Sequence, residues 1–265
     1  MRATVLITGF GPFPGASYNP TARLAEALAQ CRRPGFAGIV RIAHVFRTSY
    51  AAVDRDLPAL IARHRPDVIL MFGLAQRTPY LRIETRAMNR RAALFADVDG
   101  EHPALTIRFG GARSLAAAAP QRALQAARCV GVPVRRSIDA GKYVCNFAYW
   151  RALELAADHG TLVQFVHVPK VRTAKSRRGA ERAPELTQAD LFRAGEAILR
   201  ALVTAARERV HVVAKSYNFD STATPSKKDF EGSCLRRLPQ SPFGINDQQK
   251  TRLLFHLGTE SWPAI

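Results

Sequence analysis

TVLITGFGPFPGASYNPTARLAEALAQ, residues 4–30, decides the fold class. Residues 4–8 (TVLIT) form a β-branched apolar run without polar alternation, which reads as a strand buried on both faces. Glycines at 9, 11 and 15 break the run. Asn19 then offers a helix cap, and Pro20 suits the first helical position because its missing N–H would have no partner there. A helix over Pro20–Gln30 follows. Strand, glycine loop and helix in that order open an α/β protein.

The same alternation continues downstream. A strand is expected at Ile39–Phe46. A helix over Tyr50–His64 carries Val53, Leu57, Leu60 and Ile61 on one side, and a strand over 67–72 is closed by Gly73. Residues 81–89 (LRIETRAMN) read as one further strand, 95–102 as a turn-rich connection and 104–109 as a short strand. The alanine-rich stretch 114–129 reads as a helix and 134–138 as a strand. A helix over 144–158 has Gly160 just past its end, a strand over Leu162–Val168 is ended by Pro169, and 186–210 reads as a long last helix. No internal repeat is visible. The expectation is one α/β domain over 1–213, with a central twisted, mixed sheet and helices on both faces. Two stretches fall outside it. Residues 170–183 hold six basic side chains and one acidic one, the composition of an exposed, mobile loop. Residues 214–265 lack periodicity and read as a tail, disordered or loosely packed.

Composition narrows the function. The chain has 265 residues, 47% of them hydrophobic, enough for a sizeable core. It holds no apolar run near the roughly 18 residues of a membrane span and no secretory leader pattern, so a cytosolic protein is expected. Four cysteines, at 31, 129, 145 and 234, form no Cys-x-x-Cys pair, which argues against a zinc ribbon or redox dithiol. The net charge of +18 favours anionic partners. No nucleic-acid reader motif accompanies it, so nucleic acid is not the expected partner.

Four segments could carry chemistry. The loop 8–15 (TGFGPFPG) lacks the spacing and the lysine of a phosphate cradle, and Pro12 and Pro14 remove backbone donors. Its Phe10 and Phe13 sit at the carboxyl edge of the first strand, where open α/β sheets bind ligands. They either wall an apolar pocket or plug the core. In AGKYVCN, residues 140–146, a glycine turn leads into a helix whose first turn holds Cys145. A helix amino terminus favours a thiolate, and its N–H groups can hold an oxyanion. A buried structural cysteine is the competing reading. In VQFVHVP, residues 163–169, His167 ends an apolar strand on the same edge, either as a base for Cys145 or as a core histidine bonded to a carbonyl. Glu84, inside the apolar strand 81–89, is costly to bury unpaired. It either orients the imidazole as the third member of a triad or pairs with Arg82 or Arg86.

Together VLITGFGPFPGASYNPT at 5–21, IETRAMN at 83–89, AGKYVCN at 140–146 and FVHVP at 165–169 resemble pyroglutamyl peptidase I, a family of cytosolic cysteine peptidases. The resemblance covers about residues 1–205. It implies a phosphorylase/hydrolase-like α/β fold and a thiol exopeptidase that removes amino-terminal pyroglutamate. In that scheme Cys145 is nucleophile, His167 base and then acid, and Glu84 the orienting carboxylate. It further implies that Phe10 and Phe13 line the pocket for the pyroglutamyl ring, with Asn19 nearby and Tyr143 and Val144 beside the nucleophile. Its partners are peptides with amino-terminal pyroglutamate, with no membrane and no metal or cofactor, and the chain is expected to form a homo-oligomer. Two departures bear on substrate fit. Leu74 stands where family members usually show glutamine, and RRAALF at 90–95 replaces an acidic, arginine-bearing segment. The alternative function is an impaired relative that binds anionic ligands or nucleic acid through its basic surface.

Overall fold

The computed structural model describes residues 2–92, 96–171 and 186–218. Six strands form the main sheet: β1 (Ala3–Phe10), β2 (Ile39–Phe46), β3 (Val68–Leu74), β4 (Leu81–Glu84), β7 (Val134–Ser137) and β8 (Leu162–Val168). Their order is β2-β1-β3-β8-β4-β7. β2, β1, β3 and β8 run parallel, whereas β4 is antiparallel to β8 and parallel to β7, so the sheet is mixed. A separate antiparallel ribbon joins β5 (Arg86–Met88) to β6 (Ser114–Ala116).

Alternate residues of each strand serve opposite faces. Val5, Ile7, Leu70, Phe72, Ile83 and Val166 pack with α1 (Pro20–Gln30), α3 (Pro120–Cys129) and α5 (Gln188–Asn218). Leu6, Ile69, Met71, Val163 and Phe165 pack with α2 (Tyr50–His64) and α4 (Val144–Ala156). Helices therefore cover both faces, as expected. Among the described residues no helix is long and apolar enough to cross a membrane.

Where the chain departs from the sequence reading, local chemistry gives the reason. Residues 81–89 are two strands rather than one. At Thr85 the N–H and hydroxyl both bond the Ser137 carbonyl, and the Thr85 carbonyl accepts from Ala117 N–H. The chain thereby leaves β7 for the ribbon. The stretch 114–129 begins as β6, and its helix starts only at Pro120, whose ring and missing N–H exclude a helix interior. Residues 104–109 form no strand. Their backbone is held instead by the Asn89 amide, which accepts from Ile107 and Arg108 N–H and donates to the Arg108 carbonyl. The helix after Cys145 ends at Ala156 and finishes in a tight turn, with Gly160 at φ 66°. The last helix runs on to Asn218, beyond the expected Val210. The basic stretch lies outside the described residues from 172 to 185, and the tail does so from 219 onward.

Gly9 fixes how α1 meets β1. A Cβ there would stand 2.3 Å from the Thr21 carbonyl oxygen and 2.6 Å from its carbon. Both are backbone atoms, so the strand and the helix start would have to separate. Gly9→Ala should destabilise the protein by about 2–3 kcal/mol, the scale of overpacking a closed contact. Urea unfolding measures this, and an unchanged midpoint would contradict the contact.

Candidate active site

The strand registers bring the chemistry to one place. In the parallel pair β3–β8, Gly73 is the partner of His167. In the antiparallel pair β4–β8, Arg82 lies opposite His167 and Glu84 opposite Phe165. Paired residues and residues two apart share a face, so Gly73, Arg82, Glu84, Phe165 and His167 all present the α4 side of the sheet. Cys145 is the second residue of α4 and packs on that same face.

Gly73 makes room for the sulfur. A Cβ on Gly73 would lie 3.0 Å from Cys145 Sγ and 2.7 Å from the Phe165 ring. The sulfur therefore sits over the β3 backbone at the step where His167 is the neighbouring residue. His167 Nδ1 is 2.8 Å from Glu84 Oε1. A carboxylate can only accept, so Nδ1 carries the proton and Nε2 is left as the basic nitrogen. Glu84 has no solvent exposure and His167 has 5%. The Glu84 backbone carbonyl accepts from the Tyr149 hydroxyl and from Gln164 Nε2, both at 2.9 Å. The strand end that carries the carboxylate is thus pinned from α4 and from β8. His167 is thus bonded to Glu84, and Cys145 Sγ lies over Gly73, the register partner of His167.

The thiol behaves contrary to the sequence reading. A helix amino terminus was expected to stabilise a thiolate. Instead burial, and then the negative charge of Glu84, push the Cys145 thiol up to about 12. Desolvation penalises the charged sulfur more than one helix end can recover. Burial and the Glu84 charge together favour the protonated sulfur.

Of the residues expected to line a pocket, Phe10 and Val144 are wholly buried. Phe10 packs on Phe46 and Phe165, with ring centroids 5.7 and 6.5 Å away. Phe13 and Tyr143 are half-buried, with ring centroids 6.3 Å apart. Asn19 braces the loop. Its Oδ1 accepts from Thr21 N–H and its Nδ2 donates to the Gly11 carbonyl. Leu74 ends β3 beside Val168 and is 8% exposed, so it brings no polar atom to this edge.

Three contributors were missed from sequence. Gly73 was noted only as a strand end, since an absent side chain carries no chemical signal. Asn146 is fully buried, accepts from Met88 N–H and donates to the Met88 and Arg90 carbonyls, fastening the ribbon to the nucleophile helix. A polar residue in an otherwise apolar helix face was the available clue. Asp97, also buried, accepts from the N–H groups of Tyr50, Asp99 and Glu101 and holds the loop behind Tyr143. The Tyr143 hydroxyl donates to the Ala96 carbonyl of that loop. Among the described residues no cluster of histidine, cysteine and acidic side chains could hold a metal ion.

The chain is similar to known proteins over most of its length. A pyrrolidone-carboxylate peptidase of Thermococcus kodakarensis is 31% identical over 207 residues, spanning 72% of this chain and 98% of that protein. One of Clavibacter michiganensis is 34% identical over 209 residues, spanning 77% and 95%. The crystal structure of pyroglutamyl peptidase I from Bacillus amyloliquefaciens superposes with a TM-score of 0.67 at 26% identity, covering 78% of this chain and 96% of that one. The sequence profile of the pyroglutamyl peptidase family matches residues 3–208, and with the fold and these relatives it shows that the chain belongs to that family.

Proposed function

We propose that this protein is a cysteine exopeptidase that releases amino-terminal pyroglutamate, with Cys145 as nucleophile, His167 as base and then acid, and Glu84 orienting the imidazole. The observation that carries the reading is the placement of Cys145 Sγ over Gly73, the register partner of His167, with His167 bonded to Glu84 at 2.8 Å.

The chemistry follows from the atoms. His167 Nε2 takes the thiol proton as sulfur attacks the carbonyl after the pyroglutamyl ring, and a C–S bond forms. The C–N bond then breaks, and the same proton goes to the departing amine. A water attacks the thioester, with His167 again as base, releasing pyroglutamate and restoring the thiol. A pyroglutamyl residue is a lactam without a free amine. Phe13 and Tyr143, together with Phe10 and Val144, would offer that uncharged ring apolar and aromatic surface with no charge to capture an amino terminus. We further propose a cytosolic setting, in which reducing conditions keep the nucleophile free. Cys31, Cys129 and Cys145 are all unpaired.

The test is release of a chromophore from pyroglutamyl 4-nitroanilide, with and without alkylation by iodoacetamide mapped to Cys145 by mass spectrometry. Turnover lost in proportion to Cys145 alkylation is expected. No release from this substrate would reject the reading and favour an impaired, anion-binding relative. The raised thiol adds a pH test. With the thiol pushed up to about 12, the thiolate fraction rises with pH throughout the range below it, so Cys145 alkylation should climb about tenfold per pH unit from 7 to 11. A plateau near neutrality would mean that a resting thiolate–imidazolium pair exists instead.

A further inference from the structure

We propose that Arg82 is a positioning residue for this reaction, holding the Glu84 carboxylate in place and sharing its charge with His167. The inference rests on the reading of His167 and Glu84 given above. Arg82 Nη2 lies 3.1 Å from Glu84 Oε1, the oxygen that also accepts from His167 Nδ1 at 2.8 Å. The same nitrogen donates to Ser137 Oγ at 2.7 Å and to the Asp139 carbonyl. The Arg82 side chain is 25% exposed, whereas that of Glu84 is sealed. Glu84 Oε2 has no hydrogen-bond partner.

A sealed carboxylate with one oxygen unbonded is costly, and a neutral imidazole supplies only a dipole. Arg82 supplies a permanent charge beside the oxygen that His167 also engages. Because that charge is shared, Glu84 stabilises an imidazolium less than it would alone. The imidazolium formed during the reaction then yields its proton more readily to the leaving amine. The other titratable groups around the pair do not duplicate this. From α4 come the Cys145 thiol and the Tyr149 hydroxyl, which donates to the Glu84 backbone carbonyl. From the loop after β7 comes Asp139, whose carboxylate is engaged by Arg90 at 2.7 Å and by Gly141 N–H at 2.9 Å. Among the described residues, β3 brings Gly73 to this point and β8 brings Phe165 and Gln164, none of them ionisable.

Arg82 also has a mechanical role. Ser137 and Asp139 open the connection that leads into α4. Through them Arg82 ties the carboxylate to the segment that delivers Tyr143, Val144 and Cys145.

The experiment compares Arg82→Met, Arg82→Gln and Arg82→Lys by steady-state kinetics across pH. In the Met variant kcat should fall about tenfold, with KM within about twofold. The acid limb of kcat/KM should move up by about one pH unit, because a cation near the base is gone. The Gln variant keeps a donor but no charge, so its limb should move equally while kcat partly recovers. The Lys variant should restore the limb. If the Met variant does not fold, the Gln variant decides. A limb in the Gln variant that coincides with the wild type, or a loss confined to KM, would overturn the proposal. Should the wild type not cleave the anilide at all, the peptidase reading fails separately. The pH response of the His167 ring resonances in NMR, which needs no substrate, still decides for Arg82. An upward displacement in the Gln variant supports the proposal and coincident curves reject it.

Discussion

Cys145→Ala is expected to lower kcat/KM for a pyroglutamyl anilide by about 10⁴-fold or more while the protein stays folded. The magnitude follows from the step that is lost, since no other group in the site can form the acyl bond. Folding should survive because the change removes a single sulfur atom and leaves the α4 backbone and the Asn146 bonds to the ribbon intact. Cys145→Ser should be nearly as inactive, because a hydroxyl is harder to ionise than a thiol and burial raises that cost further. His167→Ala should fall as far as Cys145→Ala. Glu84→Gln should lose about 10²-fold less, because an amide oxygen can still accept from Nδ1 and the imidazole keeps some of its orientation. Turnover surviving in purified Cys145→Ala would remove the sulfur from the reaction. Loss of fold in Glu84→Gln would recast that carboxylate as a structural partner of Arg82.

The parts of this site that were legible in the sequence are those in which a reactive side chain sits at an element end. Cys145 follows a glycine turn, His167 precedes a proline, and Phe10 and Phe13 follow a buried strand, so chain grammar alone placed them on one sheet edge. Glu84 stood out because a carboxylate in an apolar strand demands a partner. What stayed hidden depends on contacts between distant segments. The break at Thr85 is set by the Ser137 and Ala117 backbone, 52 and 32 residues away in sequence, and no local propensity announces it. Alanine content suggests a helix over the whole of 114–129, but Pro120 confines it to Pro120–Cys129 and leaves Ser114–Ala116 as a strand. The raised thiol was misread for a related reason. A helix end is visible in sequence, whereas the depth of the sulfur and its closeness to Glu84 appear only once β3, β4 and α4 are assembled.

Gly73 gives the second large effect, and it separates geometry from chemistry. Its Cα faces the nucleophile at the step paired with His167, and a methyl there would meet the Phe165 ring at 2.7 Å and Cys145 Sγ at 3.0 Å. Neither neighbour retreats freely. Phe165 is fully buried and packs on Phe10, Tyr149 and the His167 ring at centroid distances of 6.5, 5.4 and 4.9 Å. The sulfur is carried on the first turn of α4, whose Asn146 is bonded to the ribbon. Gly73→Ala must therefore move the sulfur, tilt the Phe165 ring against His167, or both. A displacement of a few tenths of an ångström to one ångström at the reacting atoms is worth about 10²-fold in kcat. The accompanying overpacking should cost about 1–3 kcal/mol of stability, readable as a lowered urea midpoint. All three reactive groups remain present in this variant, so the thiol should still be alkylated at high pH while turnover collapses. If Gly73→Ala instead turns over like the wild type, the sulfur does not sit over this strand, and the juxtaposition of Cys145 with His167 on which the proposed reaction depends would have to be abandoned.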